Sequence, residues 1–179
     1  MIDNDIIVER ISEPLFQNFK RIYLEMTQIE INLVDMDSVN SESFDSFYTA
    51  TMGVNGDIIV DGESHPLEGG LIISWSKSSY LKMCSAMLGE EFTDISEDLD
   101  DVGLEVLNVT VGNSKRELSE RNIKLSMSLP VSTIGEGHKI DTFNNIPKSK
   151  YTIKTSAEDL VSLSFFFTQP DLNKKKFNF

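Results

Sequence analysis

The stretch from Ser96 to Leu118 constrains the fold of this chain more than any other. Its apolar residues recur at intervals of three and four, which is the spacing of an amphipathic helix. Ser96 is a candidate N-cap, acidic residues follow it, and Lys115 and Arg116 lie near the other end, as the helix dipole favours. We therefore predict one continuous helix over residues 96–118, about 33 Å long at about 1.5 Å per residue.

One face of this predicted helix is polar. Its residues are spaced by four, three, four and three: Asp101, Glu105, Asn108, Gly112 and Lys115. This face is either ordinary solvated surface or a ridge that another molecule contacts. Gly112 favours the second interpretation, because a glycine inside a helix costs about 1 kcal/mol relative to alanine and usually serves packing or access. On the opposite face, Gly103, Thr110 and Ser114 are small enough for close packing against a sheet or another helix.

Length and composition limit the class of protein. A chain of 179 residues suits one domain with a core that needs no disulfide or metal, and we predict a single domain over residues 1–170 with a flexible tail at 171–179. The net charge of −13 argues against binding to nucleic acid or to an anionic membrane. A single cysteine, no signal-peptide pattern and no apolar run of about 18 residues together predict a cytoplasmic protein.

The rest of the chain predicts an α+β fold, with about three helices and an antiparallel-dominated sheet. A first helix is expected from about Asp5 to Met26, with a kink or a second start, capped by Ser12, at Pro14. The predicted strands cover residues 29–34, 44–54, 58–60, 71–75, 123–129, 131–134, 150–155 and 160–167. A helix capped by Ser76 and ended by Gly89 follows the fourth of these strands.

Turns are expected where glycine follows or flanks polar residues. Asn55-Gly56 is a strong hairpin signal, Asp61-Gly62 closes the next short strand, and residues 135–137 supply a further turn. The apolar run Phe165–Phe167 predicts a strand in the centre of the sheet or at a subunit interface.

Most familiar catalytic patterns are missing. The chain has no phosphate-binding glycine loop and no cysteine pair at zinc spacing, and its acidic segment at 94–101 lacks the EF-hand pattern. His65 and His138 each lie beside a turn signal and are interpreted as surface loop residues. Cys84 lies on the apolar side of a predicted helix and is interpreted as a core residue rather than a reactive thiol.

The motif Glu105-x-x-Asn108, with Asp101 before it and Gly112-Asn113 and Lys115 after it, resembles the signature helix of the CheC/CheX/FliY phosphatases. Two further stretches, residues 70–91 and 129–138, are also similar to that family. The resemblance covers about residues 11–167, and the single signature helix points to the CheX branch. The chain departs from the family in two respects: Leu104 stands where a glycine usually precedes the glutamate, and the segment to Leu67 resembles an inserted arm.

The resemblance implies a function, because those proteins dephosphorylate the response regulator CheY. Asn108 would align a water molecule with the phosphorus, and Glu105 would pair with the regulator's lysine. Asp101, Leu104, Gly112 and Lys115 would contact the regulator, with the apolar Leu107 and Val111 adding docking area if exposed. No cofactor of its own is implied, since the regulator would bring Mg²⁺. A homodimer, joined through sheet edges, is also implied.

The residues themselves fit this chemistry. A carboxamide has no pKa near 7, so Asn108 cannot act as a general base, but it can orient water. Hydrolysis of an acyl phosphate asks mainly for positioning and charge stabilisation. Two alternatives remain open: a non-catalytic adaptor or switch-complex module of the same fold, and a small-ligand-binding domain with a concave apolar pocket away from the central helix.

Overall fold

The computed structural model describes residues 4–37, 46–138, 148–156 and 160–169. In these residues the chain forms three α-helices, one 3₁₀ turn and a seven-stranded sheet. In chain order the elements are α1 (Asn4–Thr27), β1 (Ile31–Asp37), β2 (Ser46–Val60), β3 (Glu63–Trp75), α2 (Lys77–Leu88), the 3₁₀ turn (Glu97–Leu99), α3 (Val102–Glu120), β4 (Ile123–Met127), β5 (Val131–His138), β6 (Lys148–Thr155) and β7 (Leu160–Thr168). The predicted α+β class is confirmed. The predicted tail, 171–179, lies outside the described residues.

The sheet is antiparallel at every pairing and follows the order β1-β6-β7-β3-β2-β4. Strand β2 organises one end of it. Along one side β2 pairs with β3, and along the other it pairs first with β5 and then with β4. Strand β7 lies between β6 and β3, and Phe165 and Phe167 are fully buried there, which confirms the predicted central position of this apolar run.

A single apolar core joins the sheet to the helices. Alternate residues of β2 and β3 face each other across the ladder and are buried, as in the pairs Tyr48–Trp75 and Ala50–Ile73. The first helix was predicted from apolar residues at helical spacing, and its inner face is buried as that spacing requires. Met26 is half-buried, and the other residues of this face are buried: Ile7, Ile11, Leu15, Phe19, Ile22 and Tyr23. Burying one such side chain contributes about 1.5–3 kcal/mol, so the helical layer is held mainly by this core.

Helix α1 runs through Pro14 without a second start, so the predicted restart at Ser12 is wrong. Proline removes one backbone hydrogen bond from a helix. Ile11 and Leu15, on either side of it, are both fully buried, and the Asn18 side chain donates to the Pro14 carbonyl at 2.9 Å. Apolar burial therefore outweighs the lost bond and keeps the helix continuous.

Two segments that were predicted as turns, residues 55–56 and 135–137, lie inside strands instead. Asn55 and Gly56 lie inside β2, paired with both β3 and β4, and a Cβ at Gly56 would overlap the Lys124 carbonyl of β4. The glycine permits the close approach of β4 rather than a turn. The real hairpin turn is Asp61-Gly62, so the supposed inserted arm is the paired tip of β2 and β3.

Residues 135–137 lie inside β5, where the register shifts opposite residues 46–48 and Gly135 and Gly137 have positive φ. The glycines therefore serve an irregular strand rather than a turn. In the described part of the chain, no helix is both long and apolar enough to cross a membrane.

Candidate functional site

Helix α3 carries the candidate site, but it begins later than predicted. Residues 97–99 form a separate 3₁₀ turn, and the α-helix starts at Val102. The Ser96 side chain makes no capping hydrogen bond, so its predicted role as N-cap is wrong. The N-cap of α3 is Asp101, whose side chain makes no capping bond either. The prediction of one continuous helix over 96–118 is therefore wrong at its first turn.

Tyr80 of α2 interrupts one backbone hydrogen bond that a continuous helix would make here. Its hydroxyl donates to the Leu99 carbonyl and accepts from the Gly103 amide at 3.3 Å. In a continuous helix that carbonyl and that amide would bond to each other directly, since they are four residues apart. The phenol is inserted between them, which is one of the recognised ways to interrupt a helix.

Tyr48 of β2 contacts the next carbonyl along the chain. Its hydroxyl donates to the Asp100 carbonyl at 2.6 Å. Burial raises the pKa of Tyr48 to about 12. Burial also raises the pKa of Tyr80 far above its ordinary value. Both phenols are thus protonated at neutral pH and can donate to the carbonyls.

The two faces of α3 are as predicted. The residues of the polar stripe are all exposed: Asp101, Glu105, Asn108, Gly112 and Lys115. On the opposite face, Gly103, Thr110 and Ser114 are buried. A Cβ at Gly103 would overlap the Tyr48 ring, so glycine is needed there for close packing. A Cβ at Gly112 would meet nothing within 4 Å, so Gly112 has no packing role within the described residues.

The apolar flanks of α3 contribute less exposed surface than the sequence suggests. Leu107 and Val111, which were expected to supply docking area if exposed, are fully buried in the core. Leu104 and Val109 are half-buried and pack beside the polar stripe. Of the residues expected to dock a partner, Leu104 is thus the apolar one that the fold leaves accessible.

Glu105 and Asn108 lie one helical turn apart on the exposed stripe. Side chains at this spacing are neighbours, with about 5–6 Å between their Cβ atoms. The Glu105 amide donates to the Asp101 carbonyl at 3.0 Å, which ties the residue to the first turn of α3. Within the described residues, neither side chain has a hydrogen bond or ion pair that would occupy it. The pair is therefore available to another molecule.

The surroundings of this pair are acidic. Glu97, Asp98 and Asp101 are exposed at the start of α3, and Lys115 lies two turns beyond Asn108 with no ion pair in the described residues. Further along the helix, Arg116 and Glu120 form an exposed pair at 3.4 Å. The single positive charge on the stripe, Lys115, therefore lies at the opposite end from the carboxylates.

The other candidate residues lie elsewhere and have structural roles. Cys84 is buried, and burial raises its pKa to about 11, so its thiol stays protonated at neutral pH, consistent with the predicted core role. His65 and His138 lie on strands rather than in loops, and His138 hydrogen-bonds the Thr49 hydroxyl at 2.7 Å. Among the described residues, no group of three or more His, Cys, Asp or Glu side chains is placed to hold a metal ion.

A groove of about 490 Å³ lies on the sheet away from α3, next to β2, β3, β4 and β7. Its lining combines apolar Met127 and Phe166 with one charged residue, Glu68, and four uncharged polar residues, Asn55, Ser126, Ser128 and Thr168. Ligand sites usually combine apolar walls with several convergent polar groups. The groove is open and holds one charged group, Glu68, so the exposed pair Glu105 and Asn108 is the better candidate for hydrolytic chemistry.

Sequence reasoning missed Tyr48 and Tyr80, which determine where α3 begins. Both rings lie in the core, and nothing in the sequence singles out their hydroxyls. The hydroxyl contacts join residues 52 and 19 positions apart along the chain, so no local spacing reveals them.

The fold has similar solved structures. A CheC-like superfamily protein from Shewanella sp. PV-4 matches with a TM-score of 0.78 and 18% identity, over 89% of this chain and 97% of that one. A chemotactic CheC-like protein from Shewanella oneidensis MR-1 matches with a TM-score of 0.76 and 20% identity, over 89% and 98%. The CheX–CheY–BeF₃–Mg²⁺ complex from Borrelia burgdorferi matches with a TM-score of 0.71 and 17% identity, over 89% and 98%. These likenesses establish the fold.

A comparison of the sequence with protein-family models identifies the family. None of the curated proteins matches this chain. Residues 48–154, more than half of the chain, match the family model described as chemotaxis phosphatase CheX, and they include the 3₁₀ turn, both bridging tyrosines and the whole of α3. The chain belongs to the CheX family.

Proposed function

We propose that this protein hydrolyses the aspartyl phosphate of a CheY-type response regulator. The observation that carries the proposal is the placement of Glu105 and Asn108 on the exposed stripe of α3, one turn apart and without partners in the described residues. Membership of the CheX family supports it. A protein of this fold from Borrelia burgdorferi binds CheY together with BeF₃ and Mg²⁺.

Hydrolysis of the regulator's acyl phosphate requires little covalent chemistry from the side chains of α3. An acyl phosphate is already activated, and phosphoryl transfer depends mainly on positioning and on charge stabilisation. The Asn108 carboxamide accepts a hydrogen bond from a water molecule and holds it in line with the phosphorus. Glu105 pairs with the regulator's lysine and fixes the register of the two proteins. The regulator contributes the Mg²⁺ ion, so the described acidic residues need not bind one.

The remaining residues of the stripe form the docking surface. Gly112 leaves bare backbone open to approach, which explains a helix-interior glycine that fills no packing role. Leu104, half-buried beside Glu105, offers apolar contact. Asp101 and Lys115, exposed near the two ends of the stripe, give the surface opposite charges along the helix and so a direction for docking.

A phosphate-release measurement tests this function. The protein is mixed with a CheY-type regulator that has been phosphorylated on its aspartate, and inorganic phosphate is followed over time. We expect release well above the regulator's own rate. Release at the regulator's own rate, over a range of protein concentrations, would rule the activity out.

Changing Glu105 is expected to weaken binding more than it slows the chemical step. Loss of a charge-assisted hydrogen bond costs about 1.5–3 kcal/mol, so Glu105→Ala should raise the dissociation constant about 10- to 100-fold. Glu105→Lys should weaken binding further, because it places two positive charges together. Isothermal titration with the regulator measures both variants.

The matched control is Glu120→Lys, which makes the same charge change at the far end of α3, where Glu120 pairs with Arg116. Its affinity should stay close to that of the wild type. If the Glu105→Lys variant bound the regulator as tightly as the Glu120→Lys variant, Glu105 would play no part in aligning the two proteins.

A non-catalytic adaptor of the same fold is the second candidate. The observation that favours it is Leu104, a half-buried side chain beside Glu105 at the position where the resemblance leads us to expect glycine. An adaptor would bind the regulator without shortening the life of its phosphoryl group, so phosphate release separates the two functions.

We also propose that the protein forms a homodimer through a sheet edge. Leu129 and Val131, beside and at the start of β5, are 88% and 60% exposed, and β5 pairs only with β2 among the described strands. Light scattering is expected to give about twice the chain mass of 20.2 kDa. Val131→Lys should give the monomer mass, whereas Leu88→Lys, at an exposed apolar residue of α2, should not. A wild-type monomer would contradict the proposal.

A further inference from the structure

Two tyrosine side chains, Tyr48 of β2 and Tyr80 of α2, stabilise the junction at which α3 begins. The first amides of any α-helix lack partners within the helix, and an N-cap side chain usually supplies one. Here Asp101 is the N-cap and makes no such bond. The Gly103 amide donates to the Tyr80 hydroxyl instead.

Each hydroxyl also fixes the chain that leads into the helix. Tyr80 donates to the carbonyl of Leu99, the last residue of the 3₁₀ turn, and Tyr48 donates to the Asp100 carbonyl. The two rings stack with their centres 3.9 Å apart and nearly parallel, and Trp75 packs edge-on against both at 5.7 and 5.9 Å. A rigid aromatic cluster therefore holds both sides of the junction at once.

We propose that Tyr48 and Tyr80 are positioning residues for the site on α3, a role that rests on the proposed function. By bonding the Leu99 and Asp100 carbonyls and, from Tyr80, the Gly103 amide, the hydroxyls stabilise the start of the helix at Val102. Asp101 then keeps its carboxylate exposed instead of capping the helix, and Glu105, whose amide bonds the Asp101 carbonyl, is fixed in register one turn later.

Tyrosine-to-phenylalanine variants isolate the hydroxyls, because the rings stay in place and continue to fill the core. Tyr80→Phe removes the acceptor of the Gly103 amide, and Tyr48→Phe removes the donor to the Asp100 carbonyl, so the double variant should loosen the start of α3 most. Amide hydrogen exchange over residues 102–107 should quicken on the order of tenfold relative to residues 113–118. Tyr151→Phe, at a core tyrosine of β6 that stacks on Phe16, should leave this ratio unchanged.

This readout uses the free protein and does not depend on any partner. If the double variant exchanged no faster over 102–107 than the wild type, the hydroxyls would not set the start of the helix and the inference would be wrong.

The second readout separates positioning from stability. With a phosphorylated CheY-type regulator, the double variant should bind on the order of tenfold more weakly, with less change in the hydrolysis rate at saturation, because Asp101 and Glu105 lie nearest the junction. Tyr151→Phe should leave the affinity unchanged, whatever its effect on the melting temperature. An altered exchange with an unaltered affinity would overturn the positioning role. Failure of the wild type to release phosphate would instead count against the proposed function, and the exchange measurement would still decide whether the hydroxyls set the helix start.

Discussion

Replacing Asn108 with alanine is expected to slow dephosphorylation of the regulator on the order of 10²-fold or more while the fold survives. The side chain is exposed and has no partner in the described residues, so its removal costs the folded protein little. The regulator's phosphate, Mg²⁺ and lysine remain in place in the complex, but the attacking water is no longer aligned. Stopped-flow measurement of phosphate release at saturating regulator gives the rate of the chemical step.

The matched control is Gln17→Ala on α1. Gln17 is also an exposed helical carboxamide, and its side chain donates to Glu13 at 2.8 Å. Its removal should leave phosphate release unchanged. Equal rates for the wild type and Asn108→Ala, with both proteins bound to the regulator, would remove Asn108 from the mechanism.

Gly103→Ala is expected to be the second large effect, this time on stability. The new Cβ would overlap the Tyr48 ring, which is stacked on Tyr80 and cannot move without disturbing the aromatic cluster. Overpacking of a core costs about 1–3 kcal/mol, which exceeds the gain of about 1 kcal/mol or less from alanine's better helix propensity. Chemical denaturation should therefore show a lower free energy of unfolding.

Gly112→Ala is the control in the same helix. No atom of the described residues lies within 4 Å of the added Cβ, so the free energy of unfolding should rise by about 0.4–1 kcal/mol. Regulator affinity should fall, because the methyl group stands where the partner's surface approaches. If both substitutions stabilised the protein, the close contact between Gly103 and Tyr48 would not constrain the fold.

Periodicity predicted the parts of the structure that depend on burial alone. The exposed stripe of α3 and the buried stripe of α1 follow from the 3.6-residue repeat, because a helix on the surface of a core must turn its apolar side inward. Residue type identified the caps of α2, where the Ser76 side chain accepts from the Ser79 amide at 3.2 Å and Gly89 takes a left-handed conformation. These features are local in sequence.

The predictions that failed depend on contacts between distant segments. Asn55-Gly56 has the composition of a turn, but the glycine is needed because β4 approaches β2 there. Helix α3 begins at Val102 and not at residue 96 as predicted, because the Tyr48 and Tyr80 hydroxyls bond the carbonyls that a longer helix would use. Neither effect leaves a signal in a window of neighbouring residues.

The most direct test is the lifetime of the regulator's aspartyl phosphate, measured at a concentration of this protein that saturates binding. We expect the wild type to shorten that lifetime strongly, and Asn108→Ala to bind equally well while leaving it close to that of the regulator alone. Saturated binding by the wild type with no change in the lifetime would contradict the account and leave an adaptor that uses the same helix only to dock.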